Sequence, residues 1–271
     1  MEDAEFDYVT GQGRPGFPAL LGAYDAASQM IASRGDAVLD IPYGAHRRQR
    51  MDLFPAFGAA RATLVYFHAG YWQSRDKATF RFIAQSFNEG GLNVVLVNYP
   101  LCPEVTLAEL SATAAAALAP IAGLAAGRPI VLSGHSAGGH LAVELAMRST
   151  PARHLIAGVA GLSGVYDLRP LVETSLNRAL ALNEPAAYDA SPVLRVTPGV
   201  PPAIFAVGAA ETDAFRRQNR AMAAAWSAAG ATAQEKIVDQ ADHFTILQTF
   251  TDRQSDLHRA VLALAEGPAQ L

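Results

Sequence analysis

The chain is 271 residues long, 51% hydrophobic and only 17% charged, with a net charge of −4. That balance suits one large α/β domain over residues 1–271 better than two small ones, and it carries no electrostatic signature of nucleic acid or of an anionic membrane as partner. The one cysteine, Cys102, excludes an intramolecular disulfide and a cysteine-based metal site.

Residues 1–35 read as an N-terminal arm or small cap, with turn signals at Gly11-Gln12-Gly13 and Pro15-Gly16-Phe17-Pro18. The start is acidic and has no apolar core, so no secretory signal is visible. Two short strands are expected over 37–42 and 49–54. A third, 63–67, runs straight into His68-Ala69-Gly70. A helix is predicted over 77–88, ended by Gly90-Gly91, and a buried strand over 92–97. Thr106 and Glu109 have the spacing of a capping box that opens the next helix. Residues 110–127 carry no charge and match a membrane span in length. They are mostly alanine, interrupted by Ser111, Thr113, Pro120 and Gly123, and so read as a buried helix broken near Pro120. Strands follow at 129–133, 155–162, 203–207 and 233–238, with helices at 139–147, 214–229 and from Phe244 onward. Residues 169–202 are proline-rich and aperiodic, expected as loops and short helices over a site. Strands alternating with helices predict a mostly parallel sheet covered on both faces.

Gly134-His135-Ser136-Ala137-Gly138 is the most informative stretch. It is a GxSxG motif between an apolar strand and a helix, the context of a nucleophile elbow. The sharp turn requires small residues on both sides of the serine, and the helix N-terminus beside it favours negative charge. A serine hydroxyl is a poor nucleophile alone and needs a base, with an acid to orient that base. His243, in the loop after the last strand, is the expected base. The acid should follow the strand 203–207, where Glu211 and Asp213 both stand. Asp213 precedes a helix and has a ready role as its N-cap. Glu211 has none and is favoured, with Asp213 as the alternative. Asp242 adjoins the histidine and is badly placed to orient it, and Asp167 reads as a loop brace. His135 and His140 read as packing or turn residues, and His46, His154 and His258 as surface.

A tetrahedral oxyanion needs preorganised N–H donors. The amide of Ala137 is the first candidate, with Ala69 and Gly70 after the third strand as the others and His68 shaping their loop. Tyr71 and Trp72 follow directly and, with His68, are candidate substrate-binding residues, Tyr166 being a weaker one of the same kind. Alanine at 69 replaces a glycine of the common pattern, which would matter if that residue needed positive φ. Cys102 precedes a proline and reads as a packed thiol. No HExxH, P-loop or GxGxxG motif is present, so neither a metal nor a nucleotide cofactor is expected.

Several segments resemble one family. His68-Ala69-Gly70-Tyr71-Trp72 is similar to the HGGxW signature of kynurenine formamidases (arylformamidases), relatives of the hormone-sensitive-lipase-like esterases. Asn98 to Glu104 looks like the esterase DYRLAPE segment. Gly134–Gly139 fits the elbow of both groups, and Glu211 to Gln218 looks like the formamidase segment that carries the acid. Asp242-His243-Phe244 matches the histidine segment. The resemblance spans about residues 37–265 and implies an α/β-hydrolase fold, no cofactor, and Glu211 as the acid. The expected activity is serine-dependent cleavage of a small acyl group, formyl above all, from an aryl amide such as N-formylkynurenine. A carboxylesterase for short acyl esters or another small-molecule amidase is the alternative, and a noncatalytic ligand receptor on the same scaffold a remote one. A small-molecule substrate and a cytoplasmic location are expected. The sequence leaves open whether the chain acts alone or as a homodimer.

Overall fold

A computed structural model describes residues 3–267. Eight strands form one sheet: Val38–Pro42 (β1), Arg50–Phe54 (β2), Ala62–Phe67 (β3), Leu92–Val97 (β4), Ile130–His135 (β5), Ile156–Leu162 (β6), Ala203–Gly208 (β7) and Ala233–Val238 (β8). Their spatial order is β1-β2-β4-β3-β5-β6-β7-β8. β1 and β2 pair antiparallel, as do β2 and β4, and every other pairing is parallel. The chain is thus an α/β-hydrolase fold.

The central strands are continuous apolar runs because both faces are covered. In β3, Val65 and Phe67 enter one hydrophobic cluster while Leu64 and Tyr66 enter the other, on the opposite face. Val65 lies beside Val95 of β4 and Leu132 of β5, so the register stacks branched side chains in layers. β8, at one edge, alternates between half-buried and exposed residues instead.

Three local differences from the sequence reading have physical causes. Residues 77–88 split into a 3₁₀ segment, Lys77–Ile83, and a short α-helix, Ala84–Glu89. Lys77, Phe80 and Ile83 are the buried residues of the first piece. Their spacing of three matches the 3₁₀ period. Lys77 is drawn inward by Asp40 (2.7 Å) and Asp52 (2.8 Å), and Asp52 also holds Arg81 at 2.7 Å. A fully buried aspartate persists because it is paired twice.

The apolar stretch forms helices Leu107–Ala115 and Leu118–Ala125, opened by the Thr106–Glu109 capping box. The break falls at Ala116-Ala117. Pro120 is then the third residue of the second helix, where a missing N–H costs nothing. Leu107–Ala125 is long and apolar enough to cross a membrane by composition alone. Leu110, Ala114, Leu118, Ile121 and Ala125 bury one face of it in the core. The C-terminal region is likewise two helices, Ile246–Thr251 and Asp256–Leu264. His258, expected at the surface, is buried: it sits on the inner face of the last helix, its ring 4.4 Å from that of Phe87 and its Nδ1 2.9 Å from the Phe250 carbonyl.

Candidate active site

Four strand ends meet at the C-terminal edge of the parallel sheet, where open α/β sheets bind ligands. Ser136 follows β5 directly and leads into the helix Ala137–Met147. Its backbone is at φ 56°, ψ −118°, a conformation outside the regions a serine ordinarily occupies. The turn is possible because its flanks lack side chains. A Cβ on Gly134 would lie 2.2 Å from the Gly138 carbonyl oxygen, and one on Gly138 would lie 1.9 Å from that of Phe67. The Ser136 amide donates to Leu162 at 2.8 Å, pinning the turn to β6.

His243 follows β8, and its Nδ1 lies 2.7 Å from Glu211 Oε2. Both side chains are almost wholly buried. Glu211 Oε1 accepts from Ser163 Oγ (2.6 Å) and from the Gly208 amide (2.8 Å). The carboxylate is therefore satisfied on both oxygens, and an acceptor-only partner requires the proton of the imidazole on Nδ1. Nε2 is left free to accept. Asp213 is not at this site. It is the first residue of the helix Asp213–Ala228, with Thr212 in the N-cap position, and its carboxylate pairs with Arg216 on the surface. Asp242 instead ties its own loop, accepting from the amides of Phe244 (2.9 Å) and Thr245 (2.8 Å). Among the described residues no hydrogen bond joins the Ser136 hydroxyl to His243; both line one cavity.

His135 has a larger part than packing. Its Nε2 lies 2.6 Å from the His243 carbonyl, and the two rings are 4.7 Å apart. Burial, and then the neighbouring His243, push its pKa well below the usual histidine value. It is neutral and fastens the His243 loop to the elbow strand.

Ala69 and Gly70 follow β3. Gly70 is at φ 132°, and a Cβ there would meet the Ser74 carbonyl oxygen at 2.2 Å. Ala69 is not among the residues with positive φ, so the methyl costs no backbone strain. Gly70 O accepts from the amides of Gln73 and Ser74 in a tight turn. Among the described residues, the amides of Ala69, Gly70 and Ala137 have no acceptor. His68 braces this loop from behind: its Nδ1 is 2.7 Å from the Ala69 carbonyl, its ring stacks on Tyr99 at 4.4 Å, and its own carbonyl accepts from Tyr99 Oη.

The cavity that holds Ser136 and His243 has a volume of about 160 Å³. Ala69, Gly70 and Tyr71 form one wall, and Phe244 and Leu247 the other. The third wall comes from the helix Phe17–Ala32, through Phe17, Leu21 and Tyr24. Phe17 stacks on Phe244 at 3.8 Å, and Tyr24 donates to the Phe244 carbonyl at 3.0 Å. Upstream, Gln12 bonds Thr212 and Arg14 bonds the Ala210 carbonyl, so the N-terminal segment is stitched to the Glu211 loop.

A family model described as the alpha/beta hydrolase fold matches residues 64–247. The chain belongs to the α/β-hydrolase family. It is 26% identical to a kynurenine formamidase of Danio rerio over 260 residues, 91% of this chain and 88% of that one. It is 30% identical to a kynurenine formamidase of Drosophila melanogaster over 249 residues, 85% of this chain and 82% of that one. A solved structure from a Silicibacter species, described as a candidate thioesterase, matches at a TM-score of 0.88 and 30% identity, covering 98% of this chain and 99% of that one. A hyperthermophilic esterase from Pyrobaculum calidifontis matches at a TM-score of 0.72 and 19% identity, covering 92% and 90%, a likeness of fold. The chain is accordingly a hydrolase of the kynurenine formamidase-like branch.

Three side chains expected in this hydrolase's pocket lie elsewhere. Trp72 has no exposed surface; its ring meets His140 edge-on at 5.2 Å in the core. Tyr166 is fully buried beneath the sheet edge, against Gly161 and Gly164. His68 stands behind the loop rather than at the cavity. Tyr71 alone of the four lines it, its hydroxyl anchored on the Tyr8 carbonyl at 2.6 Å. Tyr71 and Trp72, both at positive φ in the turn after Gly70, point to opposite sides of the loop, one to the cavity and one to the core. The sequence reading missed Phe17, Leu21 and Tyr24. They recur at i, i+4 and i+7, a helical face that could have been counted. It also missed Ser163 as a support of Glu211, for which no local signal exists.

Proposed function

We propose that this protein is a serine hydrolase that removes a small acyl group, formyl above all, from an aryl amide of the N-formylkynurenine kind. The observation that carries the chemistry is the 2.7 Å contact between His243 Nδ1 and Glu211 on one side of a cavity whose other side presents Ser136 at a strained elbow. In this reading Ser136 Oγ attacks the carbonyl carbon while His243 Nε2 takes its proton. Such contacts tighten when substrate binds, so the unjoined hydroxyl is no obstacle. The amides of Ala69, Gly70 and Ala137 receive the oxyanion. His243 then protonates the departing amine. Water, deprotonated by the same histidine, cleaves the formyl-enzyme to formate. Glu211 holds the ring and stabilises the imidazolium.

The substrate class rests on two supports. The relatives named kynurenine formamidase cover most of the chain. The cavity is small and walled by Phe17, Tyr24, Tyr71, Phe80 and Phe244, which suits an aromatic ring carrying a compact acyl group. A second reading is hydrolysis of short acyl esters or thioesters, favoured by the near full-length match to the candidate thioesterase. A panel of N-formyl anilide, N-acetyl anilide, short aryl esters and acyl thioesters separates them. The formamidase reading expects the highest kcat/KM on the formyl anilide, with turnover lost in a folded Ser136→Ala variant. Fast ester or thioester turnover with slow formyl anilide turnover moves the assignment to the second reading. Near-full activity in Ser136→Ala removes the mechanism altogether.

A further inference from the structure

The cavity lining includes one arginine, an exposed residue, that the proposed chemistry does not use. Arg75 lines it, and no aspartate or glutamate is among the described residues that do. The loop from Gly70 to Arg75 holds Tyr71 (φ 52°), Trp72 (φ 60°) and Arg75 (φ 72°) in the left-handed region, unusual for three non-glycine residues in one turn. Strain of this kind collects where a loop must present particular groups. The Arg75 stem runs over Gly70, its Cγ 2.9 Å from where a Cβ on that glycine would be. Its guanidinium reaches the Phe17 ring, 5.7 Å from the centroid. The charge is thus suspended between the oxyanion loop and the cover helix. Among the described residues it has no carboxylate partner. Its neighbour Asp76 is already engaged by Arg48 (3.3 Å), Asn98 (2.6 Å) and the Ala78 amide (2.9 Å).

We propose that Arg75 is a specificity residue that binds a carboxylate on the substrate, so that the preferred substrate is an anionic aryl amide. This rests on the aryl amide reading above, in which N-formylkynurenine itself carries a carboxylate, and assigns the recognition of that group to Arg75. An unpaired guanidinium beside apolar aromatic walls, within a chain of net charge −4, selects an anion at that point. Its planar fork matches a carboxylate with two parallel hydrogen bonds, which an ammonium cannot do. The ring of such a substrate lies against Tyr71 and Phe17, its acyl carbonyl at Ser136, and its carboxylate towards the mouth where Arg75 stands.

The test compares 2-, 3- and 4-formamidobenzoate with uncharged formanilide, on wild type, Arg75→Gln and Arg75→Lys. The expected result is a wild-type preference for one of the benzoates over formanilide. That preference should fall roughly tenfold in Arg75→Gln, as for a lost hydrogen bond to a charged group, with the change in KM and partial rescue in Arg75→Lys. Calorimetric binding of the same compounds to Ser136→Ala and to Ser136→Ala/Arg75→Gln reads recognition without turnover. A benzoate should bind more weakly to the double variant by a similar factor. An unchanged preference, an equal loss on all four compounds, or equal binding of the benzoates to both proteins overturns the role of Arg75. If wild type hydrolyses none of the four, the formamidase reading fails and the binding comparison still decides Arg75.

Discussion

Glu211 and His243 are 32 residues apart in the chain and meet at 2.7 Å, with the carboxylate also bonded to Ser163 and to the Gly208 amide. Three strand ends contribute to this contact: β6 through Ser163, β7 through Gly208 and Glu211, and β8 through His243. The histidine is held a fourth way, by His135 on its carbonyl. A carboxylate so enclosed is costly to leave unpaired, which fixes its geometry and that of the ring it faces.

The first expectation separates the two acids of this loop. Glu211→Gln should lower kcat by roughly 10³- to 10⁴-fold with the fold retained, because the amide no longer enforces the Nδ1–H tautomer or balances the imidazolium. Asp213→Asn should change kcat by less than about twofold, since its partner is a surface Arg216 and exposed pairs contribute little. Steady-state kinetics on both variants checks this. A reversal of the two results would transfer the acid role to Asp213.

The elbow glycines admit a stability test. A methyl on Gly138 would stand 1.9 Å from the Phe67 carbonyl oxygen, a backbone atom of the central strand that cannot turn aside. Gly138→Ala should cost at least about 2 kcal/mol and disturb the His68-Ala69-Gly70 loop that follows Phe67. Gly123, inside a helix with nothing within 4 Å of its added Cβ, is the control. Gly123→Ala should be neutral or stabilising by about 0.5–1 kcal/mol. Urea midpoints for the two variants are the measurement, and equal midpoints would contradict the steric account.

Tyr71 and Trp72 should behave oppositely. Trp72→Ala empties a fully buried site and should destabilise the protein by roughly 3–5 kcal/mol, with substrate preference unaltered in whatever remains folded. Tyr71→Ala removes a cavity wall and should raise KM for aryl substrates more than for a small aliphatic ester. Thermal melts paired with the two KM values decide this, and a selective loss of aryl turnover in Trp72→Ala would count against it.

Stability should fall as pH drops from about 7 towards 5. His68, His135, His140 and His258 all have pKa values lowered chiefly by burial, His68 to about 4. In the folded protein they bind protons less readily than in the unfolded chain, where they take up protons around and below about pH 6.5. The unfolded state therefore binds more protons, and its stability advantage grows with falling pH. Full stability is present above about pH 6.5 and is lost on the way down to the folded-state values. Each histidine contributes a slope of up to about 1.4 kcal/mol per pH unit. Urea midpoints that stay flat from about pH 7 to pH 5 would contradict this.

The sequence by itself determined what depends on neighbours along the chain. The glycines flanking Ser136 announce a turn that no side chain could share, and the Thr106–Glu109 pair announces a helix start, because caps and tight turns are satisfied within a few residues. Apolar runs such as 92–97 and 203–207 are strands because a sheet covered on both faces requires them. The tertiary structure alone decided what depends on which distant surface a side chain meets. Asp213 and Glu211 are both carboxylates and stand two residues apart, and only the packing of β7 against β8 puts one beside His243 and the other in solvent. Trp72 and Tyr71 are adjacent aromatics, yet one fills the core against His140 and the other faces the cavity. Phe17, Leu21 and Tyr24 have a helical period that says they are covered, but not by what. The contacts of Phe17 and Tyr24 with Phe244 close a loop of more than 200 residues, and long-range contacts of that kind leave no trace in local spacing.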